Sequence, residues 1–253
     1  MEKEIYAMTF QSKNPYDNKN LKQSEMLIKL IKNYSLDLIA CQGITRENSK
    51  VLEQTYGKEH VVGGEQFDSY PLQKKLNIKN EACKVIVANP DFQVSNAKTV
   101  SLLNKTWYRS LNPCFMNPTA TISPIEIPNY GRLVFISTHF MYRNFKLQKE
   151  MIDHTMALIH AIKKRTDEAT PIIMGGTFNI CLFDEIYCYL RQMLDQNAMR
   201  ISMPYGATSV DHHDGQPVDY FLYNQNAHLS ICSLDYIDKE YEHKPVYTKI
   251  ILK

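Results

Sequence analysis

The sequence predicts a four-layer α/β sandwich, with two mixed β-sheets packed face to face and helices flanking both. Three observations carry that expectation. Short apolar runs of strand length alternate with longer runs at helical spacing. Several strand pairs are joined by short turn-rich connections, so antiparallel pairing must accompany the helical crossovers. The 253 residues contain no low-complexity linker and no fixed short repeat, so one domain over 1–253 is expected, with ample material for a core.

The elements follow in order. Ile5 to Phe10 reads as a first strand. Leu21 to Tyr34 reads as a helix, because Met26, Leu27, Leu30 and Ile31 recur at i, i+3, i+4. Leu36 to Gln42 reads as a buried strand, and Asn48 to Tyr56 as a short helix. Val85 to Ala88 and Phe92 to Val94 are short strands separated by the turn signal Asn89-Pro90. Thr119 to Ile127 and Arg132 to Ser137 flank Pro128-Asn129-Tyr130-Gly131 as a hairpin. Phe145 to Lys164 is a long amphipathic helix with Met151, Ile152, Thr155, Leu158, Ile159 and Ile162 on one face. Ile172 to Met174 is a strand and Asp184 to Asp195 a helix. Val218 to Tyr223, Leu229 to Cys232 and Pro245 to Ile251 close the fold as strands.

Composition narrows the function classes. The chain is 44% hydrophobic and 22% charged, which suits a folded globular protein. With 29 basic and 27 acidic residues the net charge is +2, too balanced to imply capture of a polyanion by charge alone. No apolar run approaches the roughly 18 residues of a membrane span, and Met1-Glu2-Lys3-Glu4-Ile5 lacks the apolar stretch of a secretory signal. The six cysteines form no C-x-x-C pair, and Cys41 and Cys232 adjoin apolar residues, as reduced buried thiols do. These features lead us to expect a cytoplasmic protein.

The most informative segment is Pro171-Ile172-Ile173-Met174-Gly175-Gly176-Thr177-Phe178-Asn179, a buried strand running into a polar turn. Met8-Thr9-Phe10-Gln11, Asp37 to Gly43, Ser137-Thr138-His139-Phe140, Val218-Asp219-Tyr220-Phe221 and Glu242-His243-Lys244-Pro245-Val246 also place polar groups at strand ends. In this order the six segments resemble the motif series of the endonuclease/exonuclease/phosphatase (DNase-I-like) superfamily: M-T-F-N, P-D-I-I-A-L-Q-E, N-T-H-L, G-D-F-N, I-D-Y-I and S-D-H-x-P-V. Thr106 to Pro113 resembles the F-W-L-S-E-T-P stretch of the bacterial subgroup similar to nocturnin and the carbon-catabolite-repressor deadenylases.

The resemblance implies catalytic roles for His139, Asn179, Asp219 and His243, and binding roles for Gln11, Gln42 and Thr177. Family members hold a divalent metal, usually magnesium, on carboxylates. Magnesium is a hard cation that needs oxygen ligands, one or two of them carboxylates. Here the family's metal-binding glutamate falls on Gly43, the aspartate of G-D-F-N on Thr177, and the aspartate after T-H-L on Met141. The carboxylates left as metal ligands are Glu242 and Glu81, so any magnesium binding is expected to be weak.

Three readings follow: a degenerate phosphohydrolase whose cleft binds phosphate-containing ligands, an active hydrolase of phosphodiesters or phosphomonoesters, or an interaction protein working through its surface. Partners within reach are a phosphate-containing small molecule or a nucleic acid, with no membrane span. Other residues have simpler readings. Asp211-His212-His213-Asp214 reads as a solvated loop rather than a metal cluster. Lys163-Lys164-Arg165 reads as a solvated helix C-terminus favoured by the dipole. Tyr16, Tyr70, Tyr108 and Tyr142 read as surface packing, since Tyr occurs 16 times. Asp68 to Asn80, Thr106 to Pro118 and Met203 to Pro217 are the loops expected to rim a cleft.

Overall fold

A computed structural model describes residues 2–12, 21–64, 81–102, 118–140, 145–206, 208–209, 216–225, 229–237 and 243–253. Asp211 to Asp214, Glu242, Met141 and the four tyrosines named above lie outside the described residues. So do most of the first two rim loops, together with the Trp107 motif.

The first half of the fold is built on β1 (Lys3–Gln11), α1 (Leu21–Asn33) and β2 (Leu38–Thr45). The helix carries the chain back, so β1 and β2 pair in parallel, with Ala7 opposite Leu38 and Gln11 opposite Gln42. Next come α2 (Arg46–Tyr56), β3 (Val61–Val62) and β4 (Glu81–Val87). Two last strands, β12 (Leu229–Tyr236) and β13 (Val246–Leu252), return to this sheet, giving the order β12-β13-β1-β2-β4-β3.

The second half repeats the plan. It contains β5 (Gln93–Val94), β6 (Lys98–Ser101), β7 (Thr119–Ile127), β8 (Gly131–His139), α3 (Phe145–Lys163) and β9 (Ile172–Thr177). After these come α4 (Glu185–Gln196), β10 (Met199–Ser202) and β11 (Asp219–Asn224). The helix α3 makes β8 and β9 parallel, and the sheet order is β10-β11-β9-β8-β7-β5, with β6 also on β7. Each sheet thus has a parallel pair at its centre and antiparallel strands around it.

Side-chain alternation explains the four layers. In β1 and β2, Ile5, Ala7, Leu38 and Ala40 face the second sheet, while Met8, Phe10, Ile39 and Cys41 face Leu27, Leu30 and Leu52 of α1 and α2. In β8 and β9, Leu133, Phe135 and Ile173 face inward, while Val134, Ile136, Ile172 and Met174 pack under α3 and α4. Both faces of β2 and β9 are covered, so every residue of either strand is buried. The sheets approach closely at Gly175, where a Cβ atom would lie 2.9 Å from the Cβ of Ala40.

Several expectations need correction. Three short strands, β3, β6 and β10, were not apparent in the sequence, because two to four residues show no period. The buried face of α3 runs through Leu147, Gln148, Met151, Ile152, Thr155, Met156 and Ile159, while Leu158 and Ile162 are only half-buried at its edge. Lys163 is not simply solvated: its Nζ donates to the carbonyl of Asn197, 2.5 Å away at the C-terminus of α4, and burial lowers its pKa. Gln42 does not end its strand, which runs on to Thr45 past a bulge.

Cys41, Cys83 and Cys181 are buried outside any disulfide, and Cys188 is exposed. Burial pushes the Cys41 thiol far up, and nearby Cys83 adds to the effect. Among the described residues no helix is long and apolar enough to cross a membrane.

Thr45 ends β2 and caps α2, its side-chain oxygen accepting from the amide of Asn48 at 3.3 Å. Thr45→Ala is expected to cost about 1 kcal/mol, the usual worth of such a cap. A shift of the urea midpoint at unchanged slope would measure it.

Candidate functional site

The inward alternation that builds the core also delivers polar side chains to one end of it. Extending the inward series past the apolar residues gives Thr9 and Gln11 on β1, Gln42 on β2, Ser137 and His139 on β8, Thr177 on β9 and Asp219 on β11. These positions lie at the carboxyl ends of both parallel pairs, where open α/β sheets generally place ligands. A hydrogen bond across the sheets fixes the correspondence: Gln42 Nε2 donates to Ser137 Oγ at 3.1 Å, and Ser137 Oγ donates to the Cys41 carbonyl at 3.2 Å. Asp219 stands opposite Thr177, and Thr177 opposite His139, in the ladder of the second sheet.

Asp219 is the centre of the arrangement. It is 1% exposed, so its carboxylate must find partners inside the protein. Thr177 Oγ1 donates to its Oδ1 at 2.5 Å, and His243 Nδ1 lies 2.9 Å from its Oδ2. Donation from Nδ1 fixes the tautomer of a neutral His243 and puts the lone pair on Nε2, the state suited to taking up a proton. The backbone amides of Val218 and Asp219 both donate to Thr208 Oγ1, at 2.9 and 3.0 Å.

His243 reaches the second sheet from the segment that enters β13. Ser209 forms an isolated bridge with His243, and the amide of Lys244 donates to the Thr208 carbonyl at 2.6 Å. The stretch at Thr208 and Ser209 therefore pins the first sheet's last strand to the second sheet's site. The sequence offered no sign of this, since Thr208 sits in a long loop without a motif.

Asn179 follows β9 at φ 53°, a left-handed conformation that Asn tolerates better than most residues. Phe178 anchors the turn, stacked on Tyr220 at 4.3 Å and edge-on to Phe140 at 5.1 Å. Asn179 Nδ2 donates to the Phe140 carbonyl at 2.5 Å, and its own carbonyl accepts from Gln148 Nε2 at 2.9 Å. Gln148 was detectable as a polar residue on the apolar stripe of α3. Asn179 Oδ1 and Gln11 Oε1 are buried acceptors with no partner among the described residues, so each can take a donor from a ligand or water.

Magnesium needs carboxylate oxygens, and Glu242 lies outside the described residues. Both oxygens of Asp219 already accept hydrogen bonds, from Thr177 and His243. Gly43 brings no carboxylate, and its φ of 71° sits at the bulge where the pairing of β2 with β4 slips. Among the described residues no group of three or more His, Cys, Asp or Glu side chains converges. Glu81 opens β4 opposite Thr45. At position 177 a neutral hydroxyl donates to Asp219, where a second carboxylate would repel it.

No protein-family model matches the chain, and no curated protein matches it by sequence. Solved structures do match. An endonuclease/exonuclease/phosphatase family protein of Bacteroides thetaiotaomicron superposes with a TM-score of 0.78 at 10% identity, over 100% of this chain and 96% of that one. A mannosyl-6-phosphatase of the same organism gives 0.75 at 10% identity, covering 97% and 99%. The catalytic domain of human nocturnin with bound sulfate gives 0.73 at 14% identity, covering 99% and 95%. The chain has the endonuclease/exonuclease/phosphatase fold, the DNase-I-like α/β sandwich.

Proposed function

We propose that this chain is a single domain that keeps the phosphohydrolase scaffold, binds phosphate-containing ligands in the cleft at Asp219, and has lost or greatly weakened magnesium-dependent catalysis. One observation carries the reading: at two positions where the resembled motifs hold carboxylates stand Gly43, at the bulge of β2, and Thr177, whose neutral hydroxyl donates to the buried Asp219. Magnesium needs one or two carboxylates among its oxygen ligands, and neither position supplies one. Without the metal, the charge developing on a transferring phosphoryl group lacks its main stabiliser. Support for the ligand class comes from the fold's occurrence in a mannosyl-6-phosphatase and in nocturnin with bound sulfate. In this reading Gln11, Gln42 and Thr177 bind the ligand, and Glu242 and Glu81 are the carboxylates nearest in sequence pattern to metal ligands. A cytoplasmic setting follows from the cysteine pattern rather than from the fold.

A second reading rests on the His243–Asp219 couple, which retains a base and the group that orients it. In that case the chain is an active hydrolase. Turnover of a chromogenic phosphodiester and phosphomonoester, with and without millimolar magnesium, separates the two. We expect rates far below about 1 s⁻¹, the low end of ordinary enzymes, and no difference between wild type and His243→Ala. Magnesium is expected to leave the melting temperature almost unchanged, since stabilisation grows only as RT ln(1 + [L]/Kd). Wild-type turnover near 1 s⁻¹ that disappears in His243→Ala would establish the active hydrolase.

A further inference from the structure

Asp219 opens β11 of the second sheet, whereas His243 lies on the segment that enters β13 of the first, so no strand ladder sets the distance between them. Their contact has little tolerance. His243 Nδ1 lies 2.9 Å from Asp219 Oδ2, and a slip of about 0.5 Å would carry it past the roughly 3.2 Å at which such hydrogen bonds end. Thr177 orients the carboxylate through Oδ1, but from the adjacent strand of the same sheet, which leaves the separation of the two sheets unset. Thr208 reaches both members of the couple. Its Oγ1 accepts from the amides of Val218 and Asp219 at 2.9 and 3.0 Å. Its carbonyl accepts from the amide of Lys244 at 2.6 Å, and the next residue, Ser209, is bridged to His243. The hydroxyl stands in for an acceptor that the sheet does not provide, because the pairing of β10 with β11 stops at Ser202 and Phe221. Thr208, Ser209, Val218 and Asp219 are all buried, so bulk water does not replace it.

We propose that Thr208 is the positioning residue of the Asp219–His243 couple: its hydroxyl holds Asp219, its carbonyl holds the His243 segment, and together they keep His243 as the Nδ1–H tautomer. The inference goes beyond the proposed function and stands whichever ligand the cleft takes. A threonine serves here where an apolar residue of equal size would not. Its oxygen has two lone pairs, enough for both amides. Valine in its place leaves both amides buried and unsatisfied. With the start of β11 released, the carboxylate draws away from Nδ1 and the tautomer loses its selection. In the Nε2–H form, Nε2 already carries a hydrogen and can no longer take up a proton.

Long-range proton–nitrogen correlation spectra of protein carrying isotope-labelled histidine, recorded above the ordinary histidine titration range, report the tautomer directly, and His243→Ala identifies the signal. Wild type and Thr208→Ser should show the Nδ1–H form alone. Thr208→Val should show both forms in comparable amounts, a loss of at least about tenfold in preference, as expected when a hydrogen bond to a charged group is lost. A purely structural threonine would lower the melting temperature in Thr208→Val and leave the tautomer unchanged. That result overturns the proposal, as does a Thr208→Ser variant that behaves like Thr208→Val, or a wild type with mixed tautomers. Amide hydrogen exchange of the wild type needs no variant. Val218, Asp219 and Lys244 hang on one residue, so their amides should exchange through one opening, with equal protection across a urea series. Separate openings for Lys244 and the other two, or exchange as fast as in exposed amides, overturn the proposal even where Thr208→Val does not fold.

Discussion

Thr177→Asp is expected to destabilise the protein by about 3 kcal/mol or more, because it leaves an uncompensated charge in a buried site. The hydroxyl at this position is fully buried and donates to Asp219 Oδ1 at 2.5 Å. A carboxylate there faces another carboxylate, and two such charges cannot share the space without a proton or a cation between them. One of the pair then holds its proton well above the ordinary carboxylate range. A raised acid pKa adds stability below that pKa and loses it as pH rises, so the variant should be least impaired in acid and most impaired in alkali. Urea unfolding across a pH series measures this against wild type. Adding Gly43→Glu supplies the second carboxylate that a metal would need. At φ 71° it carries a backbone cost of roughly 1–2 kcal/mol. Magnesium should then stabilise the double variant and leave wild type nearly unchanged, and phosphodiester hydrolysis should rise in the double variant more than in either single one. A folded double variant that binds magnesium and hydrolyses nothing would show that more than charge has been lost. A Thr177→Asp variant as stable as wild type at neutral pH would show that Asp219 is not held as described.

Gly175→Val should cost about 3 kcal/mol, the upper range for overpacking a core. For a chain of this size that corresponds to a melting temperature lower by about 6–12 °C. The position is where the two sheets touch. A Cβ atom would lie 2.9 Å from the Ala40 Cβ, 2.9 Å from the Phe221 ring and 3.2 Å from the Thr9 Cβ. Valine adds two methyl groups beyond that atom. Ala40→Gly in the same chain removes one of the colliding groups and should restore part of the loss, because neighbouring substitutions couple. Thermal unfolding of the two single variants and the double variant measures the coupling. Equal stability of Gly175→Val and wild type would mean that the sheets part more easily than close packing allows.

The sequence by itself determined the sandwich and the presence of its principal elements, while the ends of β2, β4 and β12 were set by pairing. Periods of 2 and of 3.6 are local properties, so β1, β7, β8, α1 and α3 could be read from neighbouring residues alone. Where pairing is short and the period has no length to show itself, as in β3, β6 and β10, partners far along the chain decided the structure. The same division holds at the site. Motif order placed His139, Thr177, Asn179, Asp219 and His243 at or beside strand ends, because turns and strand ends are written locally, whereas Gln42 lies inside β2. It also made plain that Gly43 and Thr177 carry no carboxylate. Only the tertiary structure decided what Asp219 does in their absence. Its two oxygens are met by residues 42 and 24 positions away in the chain, and Thr208 supports its amide from a loop without a motif. Side-chain direction follows from local geometry, whereas partnership depends on which distant strands the sheets bring together.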